Sequence, residues 1–144
     1  MAKFELKIDT TSDPVKVSIA GSLNETAEFN HIDLKGKSGI SIDLNDLKSI
    51  NSLGSMAWIK WMATLSNTHI QFYNCPKIII DQFNMVGSLL LKNAQVMSFY
   101  VPFYNEDSGE EKNVLFRYGK DYSEKGTVIP KDITDSLGLP MSIG

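Results

Sequence analysis

The stretch KSINSLGSMAWIKWM, residues 48–62, changes character at its middle. Lys48 to Ile50 continues an apolar, strand-like run, and Asn51-Ser52-Leu53-Gly54 makes a short polar corner. From there Trp58, Trp61, Met62 and Leu65 recur on one side of a 3.6-residue period, with Lys60 and Thr64 on the wetter side. That is the pattern of a chain passing from a strand, through a corner, into an amphipathic helix whose tryptophans face a core. Asn51 and Ser52 are both N-cap residue types, because their side-chain oxygens can accept the unpaired N–H groups of a helix start.

The same reading extends in both directions. Upstream, Ile40, Ile42 and Leu44 share one face of a strand over residues 39–44, followed by a turn at Asn45-Asp46. Phe4, Leu6 and Ile8, then Val15, Val17 and Ile19, alternate with polar residues on either side of an Asp13-Pro14 turn, which predicts a hairpin ended by Gly21. The loosely patterned segment 22–38 predicts one short helix. Downstream, His69 to Tyr73 reads as a strand, Asn74-Cys75-Pro76 as a turn, and 77–91 as a helix with Ile79, Phe83, Val86 and Leu90 on one side. Residues 95–104 and 114–118 read as two strands joined by an acidic turn. Strands and helices alternating between two terminal hairpins predict an α/β fold, a mixed sheet with helices packed on it. The expected division is one domain over 1–118, including the C-terminal hairpin extension, and a turn-rich tail over 119–144. Apolar spots at Val128, Ile129, Ile133, Leu137 and Leu139 predict that part of this tail packs on the domain or on a second copy.

Bulk properties narrow the function. A chain of 144 residues suits one domain. A net charge of -3 and a pI near 5.3 leave no basic surplus for neutralising phosphates, so neither nucleic acid nor an anionic membrane is an expected partner. No apolar run approaches the roughly 20 residues of a membrane helix, and residues 1–13 lack an apolar signal core, so a cytoplasmic location is expected. The single cysteine, Cys75, forms no intramolecular disulfide, and a thiol enzyme built on Cys75 and His69 lacks a third orienting group. His31 and His69 share no ligand spacing, and the acidic turn of Glu106, Asp107, Glu110 and Glu111 reads as a solvated loop, so no metal or cofactor is expected. A non-enzymatic binding protein is expected, with a small enzyme using Cys75 as the lesser alternative.

The corner supplies the candidate site. A helix N-terminus carries free N–H donors and the positive end of the macrodipole, so it tolerates a phosphoryl group. On Ser52 that group would add about -1.5 to -2 charges and turn an apolar docking face hostile. Gly54, with no side chain, would let a partner's backbone come close.

Several stretches in order carry a family resemblance. VKVSIAGSLNETAEF resembles the second strand and the following Gly-x-Leu-Asp turn of STAS domains, the family of anti-sigma-factor antagonists. ISIDLNDLKSINSLG resembles the family's strand ending in Asp-Leu and its Asp-Ser-x-Gly phosphorylation loop, SMAWIKWM the helix after it, and HIQFYNCP the next strand. The resemblance covers about residues 3–104. It implies a bacterial signalling switch in transcription regulation, which binds a kinase-type anti-sigma factor, or a larger signalling complex, until the kinase phosphorylates a loop serine. Ser52 is the residue in the acceptor position, and Leu23, Asn24, Asn51, Leu53, Gly54 and Ser55 are the implied partner contacts. Asn24 and Asn51 stand where the family has Asp, and Leu53 where it often has Ser or Thr. Those departures leave open an alternative, a scaffold or oligomerising domain that is never phosphorylated.

Overall fold

The computed structural model describes residues 3–29, 32–86, 89–123, 126–127 and 133–143. It is an α/β fold built on a mixed sheet of six strands. Strands β1 (Glu5–Asp9) and β2 (Val15–Leu23) form the expected antiparallel hairpin. Strand β3 (Ile40–Asp43) then runs parallel to the first half of β2, and β4 (Leu47–Ile50) parallel to its second half. After α1 (Ser52–Thr64), β5 (Ile70–Tyr73) adds beside β3, and after α2 (Lys77–Met85), β6 (Ala94–Val96) closes that edge.

Register explains why the helices sit where they do. Val15, Ile40 and Ile70 are cross-strand neighbours, and so are Val17, Ile42 and Phe72, so the alternating apolar residues of three strands make one continuous face. All six are buried. Helix α1 covers this face with Trp58, Trp61 and Met62, and α2 with Ile79 and Phe83. Trp58 stacks on Phe72 at 5.6 Å between ring centroids, and its indole N–H donates to the Leu89 carbonyl at 2.9 Å. Both tryptophans are therefore core residues. No helix among the described residues is long and apolar enough to cross a membrane.

Several boundaries differ from the sequence pattern for identifiable reasons. Gly21 does not end β2. It adopts φ +81° at a register shift, and an added Cβ would lie 1.8 Å from the Lys3 carbonyl oxygen, so only glycine fits this bulge. Residues 47–50, strand-like by pattern, form β4 as a strand separate from β3, paired in parallel with the bulged end of β2. No helix forms among the described residues of 22–38. Asn24 and Asp33 instead bond the backbone two residues on, which favours turns over helix, while Phe29 stacks on Trp61 and Ile32 is buried. Helix α2 stops at Met85 rather than 91: Val86 is extended, and the β-branched Val86 and the following Gly87 and Ser88 are poor helix formers. The run 95–104 is two strands, broken at Met97.

The second of these, β7 (Ser98–Tyr104), starts a separate three-stranded antiparallel sheet with β8 (Glu111–Arg117). Its start is tied to the main sheet, where the Cys75 N–H donates to the Ser98 carbonyl and the Tyr100 N–H to the Cys75 carbonyl. The short strands β9 (Tyr122–Ser123) and β10 (Gly126–Thr127) pair with each other, and β11 (Ser142–Ile143) returns to the free edge of β7. Residues 133–143 thus belong with the hairpin, with Met141 buried in one cluster with Phe103 and Phe116. Val128, Ile129 and Pro130 lie outside the described residues.

Candidate functional site

The corner between β4 and α1 is made by close backbone approach. The Leu23 carbonyl, at the end of β2, accepts the Asn51 N–H at 3.0 Å. Gly54 sits against that same carbonyl, and a Cβ there would fall 1.8 Å from its oxygen. The space that glycine leaves is therefore filled by this chain's own strand end. Leu23 and Gly54 are both buried and shape the corner from inside.

Asn51, not Ser52, is the cap. Its backbone is extended, and its side-chain oxygen accepts the Gly54 N–H at 2.9 Å. The other half of its amide donates to the Glu25 carboxylate at 3.2 Å. Glu25's own backbone N–H first, and the Asn51 amide second, hold that carboxyl below its ordinary value. Asn24 is turned inward on its own loop, accepting both the N–H and the hydroxyl of Thr26. Ser52 is left as the first helical residue, exposed, with its hydroxyl making no hydrogen bond among the described residues. Ser55 is half-buried one turn in, its N–H donating to the Asn51 carbonyl.

Beside Ser52 the helix surface is apolar. Leu53 is 55% exposed and Met56 54%. With Ala27, Ala57, Asn24, Glu25 and Lys60 they line a shallow groove of about 240 Å³. The first turn of α1 contains no acidic residue, so its dipole end is uncompensated from within the helix. Sequence reasoning brought Ser52, Leu53 and Asn51 to this place, and it missed Met56 and Glu25. Met56 was legible as an apolar residue off the tryptophan side of the helix. Glu25 carries no local signal, because only the fold of the 24–27 turn brings it to Asn51.

Elsewhere, Cys75 is fully buried, and burial first, then the nearby Asp43 charge, pushes its thiol far above the ordinary range. It offers no surface thiolate to an exposed His69. His31 lies outside the described residues. Among the described residues no group of three His, Cys, Asp or Glu could hold a metal ion. A second groove lies away from the corner, on the sheet face opposite the helices. No family model, curated protein or solved structure matches the chain.

Proposed function

We propose that the chain is a non-enzymatic protein-binding switch of the anti-sigma-factor-antagonist kind, in which the start of α1 is the docking surface and Ser52 the acceptor. The observation that carries this reading is the division of labour at the corner. Asn51 takes the capping role, so Ser52 is free to be modified without undoing the helix start. The exposed Leu53 and Met56 beside it supply the apolar contact that a phosphoryl group on Ser52 would spoil. Asn24, Asn51 and Ser55 are the rim of that surface. The partner would be a serine-kinase anti-sigma factor or a larger signalling complex, in a bacterial cytoplasm.

One observation favours the alternative of a scaffold that is never phosphorylated. The Glu25 carboxylate is held beside Asn51, one residue from Ser52, and would repel a phosphoryl group there. The test is phosphopeptide mapping of the protein from its native cells, with a phosphatase-treated control. A phosphoryl group on Ser52, and a partner released by Ser52→Asp but kept by Ser52→Ala, is the expected result. An unmodified Ser52 through growth and stress, with partner affinity unchanged in Ser52→Asp, would replace the switch with the scaffold.

A further inference from the structure

The face of the sheet turned away from the helices has its own order. Lys7 pairs with Ser18, Ser18 with Asp43 and Asp43 with Tyr73, making one polar row across four strands. Asp9, Lys16, Ser41 and Gln71 make a second. Sheets built mainly from parallel strands are ordinarily covered on both faces, and here both helices lie on the apolar one. The polar rows instead floor a groove of about 630 Å³, within the size range of small-molecule sites.

What the groove's side chains already do determines what they can still bind. Its two carboxylates are occupied. Asp9 accepts the Thr11 N–H and hydroxyl and the Ser12 hydroxyl, and Asp43 accepts the Asn45 N–H and the Asn74 amide. The Asn74 amide is aimed there by a backbone at φ +56°, with its own N–H donating to the Ser98 hydroxyl. The donors, by contrast, are not hydrogen-bonded, although the Lys16 charge already acts on Asp9 across the strand pair. Ser18, Ser41, Gln71 and Tyr73 are half-buried, yet their side chains make no hydrogen bond among the described residues, nor do the Lys7 and Lys16 ammonium groups. No buried side-chain polar atom among the described residues lacks a partner, so these groups face solvent and can exchange water for a ligand. Lys7 and Lys16 are diagonal neighbours across β1 and β2, a spacing that long side chains bridge, so both can reach one anion.

We propose that this face binds a small phosphomonoester with a hydroxyl-bearing body. The Lys7 and Lys16 ammonium groups supply the attraction for the roughly -1.5 to -2 charge of a phosphate monoester, set against the Asp9 and Asp43 carboxylates on the same face, which Thr11, Ser12, Asn45 and Asn74 already hydrogen-bond. The serine hydroxyls and the Gln71 amide match hydroxyl groups on the rest of the ligand, and the Tyr73 ring walls one end. This site stands independently of the Ser52 corner.

The test is a titration of the full-length, isotopically labelled protein with ribose 5-phosphate at constant ionic strength, with ribose and inorganic phosphate in parallel, followed by backbone amide shifts. Saturable shifts centred on Lys7, Lys16, Ser18, Ser41 and Gln71 are expected, strongest with ribose 5-phosphate, weaker with phosphate and absent with ribose. Lys7→Gln and Lys16→Gln, both exposed and tolerant of change, should each raise Kd roughly fivefold, the scale of an exposed charged contact. Lys60→Gln, on the helix side, should leave Kd unchanged. No saturable shift, shifts centred on residues 24–60, equal affinity for inorganic phosphate, or lysine variants that bind like the unaltered protein would each overturn the proposal.

Discussion

Among the described residues the main sheet closes over nineteen buried residues of an apolar cluster, whereas the sheet of residues 98–143 closes over three, Phe103, Phe116 and Met141. At about 1.5–3 kcal/mol for each large apolar side chain buried, the first draws far more on burial than the second does from its described residues. The second is tied by polar bonds between the hairpin and the returning tail. The Asn105 amide donates to the buried Asp135 carboxylate at 2.8 Å. The Ser136 N–H and hydroxyl both donate to Glu110, and the Lys112 ammonium donates to the Thr134 carbonyl. The same chain thus uses non-directional burial for one sheet and directional, charge-bearing bonds for the other.

The largest expected effect falls on the first kind of support. Trp58→Ala removes a fully buried ring that stacks on Phe72 and leaves the Leu89 carbonyl without its donor. A loss of about 3–5 kcal/mol is expected, a large share of the stability of a small domain. Urea unfolding followed by far-UV dichroism should show global unfolding at much lower denaturant. A change of less than about 1 kcal/mol would mean that the main sheet is not organised around this ring.

A smaller effect, confined to the tail, is expected for the second kind. The Asp135 carboxyl is held below its ordinary value of 3.8, chiefly by the Leu139 N–H, then by the Leu137 N–H, the Asn105 amide and the Lys112 charge. A carboxyl lowered on folding contributes its full stabilisation above the unfolded value of 3.8 and loses it as pH falls through the folded value. Amide exchange across residues 133–143 should therefore quicken as pH drops below 3.8, relative to β2, β3 and β5. Asp135→Ala should produce the same local release at neutral pH. Uniform exchange through the whole chain would show that the two sheets unfold as one unit and remove the contrast.

That contrast also marks what the sequence could reveal. Period-two alternation at Val15, Val17, Ile19, Ile40 and Ile42, and helical spacing at Trp58, Trp61 and Met62, announce burial directly, so the main sheet, both helices and the terminal hairpins are legible. So is the corner, since a polar break between two apolar periods has few structural meanings. The pairing of β4 with the end of β2 and the Gly21 bulge are not, because each depends on a partner distant in sequence. The Asn105–Asp135 tie spans thirty positions and has no apolar period to announce it. The groove was half-legible: the polar members of each alternating strand were present in the pattern, but their rows appear only once register is known.

The smallest expected effect places a polar tie inside the strongly apolar unit. Asn51→Ala removes the α1 cap and the bond to Glu25, while the tryptophan core beneath it stays intact. A loss of about 0.5–2 kcal/mol is expected, the ordinary range for a helix cap. Ser52→Ala should cost less than Asn51→Ala, because its hydroxyl holds no bond among the described residues. Measured side by side by denaturant midpoint, the pair separates two roles that adjacent residues of similar chemistry could exchange. If Ser52→Ala proved the costlier, Ser52 would be the true cap, and its hydroxyl could not be given up to a phosphoryl group without loosening the helix. If Asn51→Ala is the costlier, stability at this corner rests on the amide, and Ser52 is left free for a regulatory role.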